Sequence, residues 1–162
     1  MDVNVKRTVF SICMILAGTA AAQEADIAVQ DAWVRATVAS QQASAVFMKL
    51  RSQGGAVLVD ASTPVAGRTG IHEMLRFGDL MKMRPVSGGL VLPLGKTVEF
   101  KPSGYHLMLL DLKQALPAGS TVALTLVFKN RRGQTQTLVA VVPVRRTRPA
   151  PRAGAGDAGK TR

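Results

Sequence analysis

Cysteine is nearly absent: Cys13 is the single one in 162 residues, and it lies inside the first apolar run. If that run is removed on export, the remaining chain has no thiol. An internal disulfide, a thiolate nucleophile, a CxxC redox pair and a copper centre of the blue type, which needs a bound Cys, then drop out. Aromatic residues make up only 4%, so aliphatic side chains fill most of the core. Carboxylates are sparse and dispersed from Gln23 to Val144: Glu24, Asp26, Asp31, Asp60, Glu73, Asp79, Glu99 and Asp111. No G-x-S-x-G word and no glycine-rich phosphate loop ahead of a helix occurs. A hydrolase would have to rest on an unpartnered histidine, and the protein is expected not to be an enzyme.

A sustained helical period is also lacking, as is any apolar run after the N-terminal one that could span a bilayer. The net charge is +11, which by itself suggests an acidic partner. Its distribution argues otherwise. Residues 145–162 carry +5, from Arg145, Arg146, Arg148, Arg152, Lys160 and Arg162 against Asp157. Residues 23–144 carry only +5 and show no Lys/Arg cluster interleaved with aromatics, so no nucleic-acid groove is expected. The segment 145–162 is rich in Pro, Ala, Gly and charge and reads as a disordered basic tail.

What is present begins with an export signal over residues 1–22. Lys6 and Arg7 precede the apolar stretch Thr8–Gly18, and Ala20-Ala21-Ala22 supplies a small-residue cleavage site. Cys13 lacks the Leu-small-small context of a lipoprotein cysteine. The mature protein is expected in the periplasm, cut near Ala22, with no stable membrane insertion.

From Gln23 to Val144 short β-like runs follow one another: 31–37, 44–51, 56–61, 71–76, 80–85, 90–93, 97–101, 105–112, 121–129 and 135–144. Ser62–Gly70, with Pro64, Gly67 and Gly70, reads as a loop, and a helical turn is conceivable at Lys113–Leu116. Gly133 suits the hairpin turn before the last run. Many short strands at this spacing predict a single all-β domain over 23–144, as a two-sheet sandwich or a barrel.

Both histidines and four of the seven methionines fall between His72 and Met108. They form three words, His72-x-Met74, Met81-x-Met83 and His106-x-Met108. A spacing of two keeps both side chains on one strand face. Imidazole accepts several metals, but thioether sulfur is soft and neutral, and two His with two Met favour Cu(I). The alternative is an interaction or structural module in which these methionines merely fill the core. At least some of the methionines are expected to be packing.

The words AWVRAT (32–37), SAVFMKL (44–50), STPVAGRTGIHEM (62–74), GDLMKMRPVSGG (78–89) and KPSGYHLMLLDLK (101–113) resemble the PCu(A)C family of periplasmic copper chaperones. The resemblance runs from about Ala32 to Val144. It implies a cupredoxin-like Greek-key β-sandwich. The family signature is a His, ten residues, a Met, a little over twenty residues, then His-x-Met, which selects His72, Met83, His106 and Met108 as ligands of Cu(I). Met74 and Met81 fall off the signature and are assigned to flank or core. The implied partner is the cytochrome c oxidase subunit carrying the CuA site, or a Sco-type thioredoxin-like assembly factor, served by a monomer. Many members carry a His- and Met-rich C-terminal extension, and this tail has neither residue.

Overall fold

The computed structural model describes residues 26–146. The expected signal and the tail beyond Arg146 lie outside the described residues. Ten strands and no helix make up the described part: β1 (Ile27–Arg35), β2 (Ala43–Ser52), β3 (Ala56–Ser62), β4 (Ala66–Phe77), β5 (Leu80–Pro85), β6 (Leu90–Leu92), β7 (Thr97–Phe100), β8 (Tyr105–Leu112), β9 (Thr121–Asn130) and β10 (Thr135–Arg145).

The hydrogen-bonded order is β5-β4-β8-β7-β2-β1-β10-β9-β3-β6, with β8 also paired to β2. This mixed sheet is one cupredoxin-like sandwich. One layer holds β5, β4, β8, β7, β2 and β1, and the other holds β10, β9, β3 and β6. The layers join where β1 runs parallel to β10, at Val34–Val144 and Arg35–Arg145. An isolated bridge from Ser52 to Leu94 and a hydrogen bond from the Thr69 hydroxyl to the Ala61 carbonyl tie them again elsewhere.

Alternation explains the layering. Val46, Met48 and Leu50 on β2 and Leu107 and Leu109 on β8 point inward, to meet Leu58 on β3 and Leu124, Leu126 and Phe128 on β9. These side chains are essentially sealed from solvent, and Phe100 and Phe128 are the bulkiest of them. The scarcity of aromatics is thus met by an aliphatic core. On the outer face of the first layer, Trp33 packs on Phe47 with ring centroids 4.6 Å apart.

Two expectations fail. Ser62–Gly70 is not a loop throughout: β4 starts at Ala66 and runs straight through Gly67 and Gly70. Both glycines serve close approach within a sheet. A Cβ on Gly67 would stand 3.1 Å from the Asp111 Cβ, and one on Gly70 would stand 3.2 Å from the His72 ring. No helical turn forms at Lys113–Leu116, where the chain only bends. The last hairpin forms as expected, with Gly133 at φ 79°. β10 extends to Arg145, so the sheet takes up the first residue of the expected tail.

Candidate metal centre

The register of three antiparallel strands determines what the His/Met words share. His72 on β4 lies directly opposite His106 on β8, and Gly70 lies opposite Met108. On the other side of β4, Met74 lies opposite Met83 of β5 and Arg76 opposite Met81. Directly opposed residues share a sheet face. His72, Met74, Met81, Met83, His106 and Met108 therefore all belong to one face of the first layer. The intervening Ile71, Leu107 and Leu109 enter the core, so this is the face turned away from it.

Both imidazoles are oriented by the backbone. The His72 Nδ1 lies 3.1 Å from the Gly70 carbonyl oxygen, and the His106 Nδ1 lies 3.1 Å from that of Gly104. A carbonyl only accepts, so Nδ1 carries the proton in each ring and Nε2 keeps a free lone pair. This is the outer-sphere arrangement that fixes metal-binding histidines. The rings are 6.1 Å apart between centroids and inclined by 23°. The Nε2 of His106 faces the Met83 sulfur at 3.3 Å. In the neutral ring with its proton on Nδ1, no hydrogen stands between them, and the two lone pairs converge where a cation would fit.

The sequence carries a signal for these anchors. Both histidines sit in the word Gly-x-His-x-Met, at residues 70–74 and 104–108, and the glycine supplies the carbonyl each time. At Gly70 the missing side chain also leaves room for the ring.

Burial separates the methionines. Met48, outside the cluster, is the core methionine at 2% exposure. Met81 and Met83 are 48% and 53% exposed, and Met74 and Met108 are half-buried. Met74 and Met81 both lie outside the buried core cluster. His106 is buried and His72 is half-buried. Met108 is placed by register beside Gly70 and Ala45, on the same face as both rings.

The cluster's donors are all neutral. Among the described residues no three His, Cys, Asp or Glu side chains gather to hold a metal, so a donor set here has to include thioether. The nearest carboxylate along β4, Glu73, points to the opposite face and pairs with Arg84 of β5 at 3.2 Å. Tyr105 lies opposite Glu73 on β8. Burial, and then the Glu73 charge, push its phenol above the usual range.

A cupredoxin-like sandwich bearing a His/Met cluster on the outer face of one layer is the class that these features define. The family model described as "Putative lipoprotein LpqE-like" matches residues 27–144, and the chain belongs to this family, which is of the PCuAC type. A relative from Leifsonia xyli subsp. xyli (strain CTCB07), described as putative lipoprotein Lxx21020, is 31% identical over 129 residues, covering 80% of this chain and 75% of that protein. Among solved structures, the apo PCuAC domain from PmoF1 aligns with a TM-score of 0.56 at 21% identity, over 74% of this chain and 95% of that one. The copper-bound PCuAC domain from PmoF2 gives 0.55 at 20% identity, over 74% and 94%. Apo-DR1885 from Deinococcus radiodurans gives 0.54 at 29% identity, over 89% and 96%. The two PmoF likenesses establish the fold.

Proposed function

We propose that this protein is an exported, periplasmic copper chaperone that carries Cu(I) on His72, Met83, His106 and Met108. Copper is its cargo, and the protein is a carrier rather than a catalyst. The observation that bears most weight is the convergence of the His106 Nε2 and the Met83 sulfur at 3.3 Å, with Nδ1 of both histidines held by glycine carbonyls. That the PCuAC domain from PmoF2 is a copper-bound one supports the choice of metal, and the lipoprotein description of the relative supports export. Thioether donors favour the cuprous ion over the cupric one.

Neutral donors leave the metal's charge uncompensated, which suits release. In the proposed role the acceptor is the cytochrome c oxidase subunit that carries the CuA site, reached directly or through a Sco-type protein. Its thiolates displace the neutral ligands one at a time, and their stronger bonds to copper drive the exchange. The test is anaerobic competition against a Cu(I) chelator. His72→Ala and Met83→Ala should each weaken binding sharply while the circular dichroism of the apo protein is unchanged. Unaltered affinity in either variant would remove the assignment.

A further inference from the structure

Two methionines on the same face are left over. Met74 is the direct cross-strand partner of Met83, and Met81 is the next residue of β5 on that face. The pairing of β8 with β4 ends at Glu73–Tyr105, so the Met74–Met83 rung lies beyond the last rung of β8. The Met74 N–H still donates to the Gly104 carbonyl at 3.1 Å; beyond it the β4–β5 hairpin continues as two strands alone, and every residue of β5 is exposed. A packing role would bury these side chains, yet Met81 and Met83 are about half in solvent. No carboxylate shares the face: its hairpin residues are His72, Met74, Arg76, Met81, Met83 and Pro85. The Arg76 guanidinium is drawn back to the turn, where its Nε donates to the Gly78 carbonyl at 2.9 Å and Asp79 lies 4.0 Å away.

We infer that Met74, Met81 and Met83 form a second, thioether-only site for a soft monovalent cation, through which Cu(I) leaves the four-ligand centre. Opposed side chains on a β-ladder have Cβ atoms about 4.5–5.5 Å apart, well within the combined reach of two methionines. Flexible thioethers adjust to low coordination numbers and exclude hard ions. Met83 is common to both sites. As the bonds from His72, His106 and Met108 break, bonds to Met74 and Met81 form, and the Met83 sulfur stays bound throughout. No electron or proton changes hands. The exposed end of the hairpin then offers copper to an incoming ligand without first releasing it to water. This deepens the copper reading of the face and rests on it.

Silver(I), a soft monovalent ion inert to redox change, is the probe, read by methyl resonances of methionine-labelled full-length protein. In the His72→Ala/His106→Ala variant, Ag(I) should still shift the Met74, Met81 and Met83 methyls and leave the core Met48 unmoved. In an otherwise wild-type chain, Met74→Leu/Met81→Leu, a swap that conserves volume, should keep equilibrium Cu(I) affinity and slow release to a chelator. Unmoved Met74 and Met81 methyls in the histidine variant, or an unchanged release rate in the leucine variant, overturns the second site. If the first equivalent of Ag(I) moves neither the Met108 methyl nor an imidazole signal in the wild-type protein, the four-ligand reading is what fails. The Met74 and Met81 response still decides the second site separately.

Discussion

At the scale of single residues, Gly70 does two jobs for His72: its carbonyl takes the Nδ1 proton, and its missing side chain makes room for the ring. Gly70→Ala should keep the carbonyl and displace the imidazole, since the new Cβ would stand 3.2 Å from Cε1. The expected outcome is weakened Cu(I) binding with the fold retained, checked by chelator competition and circular dichroism. Tyr105 offers an independent probe, because it is the single tyrosine and its phenolate absorbance belongs to it alone. Burial and the Glu73 charge raise its pKa in the folded state. The stability this contributes is complete below the ordinary phenol value and is lost as pH rises through the folded one. Glu73→Gln should bring the spectrophotometric midpoint down; an unchanged midpoint would show that the carboxylate has no influence. The Gly-x-His-x-Met words were legible in the sequence, whereas the direction of each ring was not. That depends on which carbonyl lies within reach once the strand is extended.

At the scale of elements, the β4–β5 hairpin holds Met83 in place. Its two-residue turn has Gly78 at φ 60° and Asp79 outside the left-handed region, which suits a type II′ hairpin. Beyond that turn, the Glu73–Arg84 pair at 3.2 Å is the ionic tie across the rungs that carry Met83. Arg84 is 65% exposed, so Arg84→Gln should cost the whole fold less than about 1 kcal/mol. It should loosen β5, which has only β4 as a hydrogen-bonded neighbour, and so lower Cu(I) affinity; denaturant melts and chelator competition would separate the two effects. The strand runs of β5 and β8 were readable from alternation. The start of β4 was not, because Gly67 and Gly70 look like turn residues until Asp111 and His72 are seen to need the space. The facing of His72 and His106 was equally hidden. It is a pairing between strands separated in sequence by β5, β6 and β7, and strand periodicity carries no information on register.

At the scale of the whole molecule, a sandwich without a described disulfide depends on its aliphatic core. Phe128 is fully buried where β9 meets the opposite layer. Phe128→Ala should destabilise by about 3–5 kcal/mol, measured by denaturant unfolding through the fluorescence of Trp33, the single tryptophan. The core alternates with the His/Met words along β4 and β8 and dictates their face: because Ile71, Leu107 and Leu109 turn inward, residues one step along must turn outward. That the domain is all-β was therefore legible from alternation; the choice of a cupredoxin-like sandwich over a barrel came from the family resemblance. That all six His and Met side chains share the outer face followed only once the three strands were aligned.

In the proposed centre, two imidazoles and two thioethers of this face hold Cu(I). X-ray absorption at the copper edge, on protein loaded anaerobically with one equivalent of Cu(I), tests it most directly. The expected result is a cuprous edge and an inner shell of two sulfur and two nitrogen scatterers, with one sulfur lost in Met108→Ala. A shell of oxygen and nitrogen without sulfur, or one that Met108→Ala leaves intact, would contradict it.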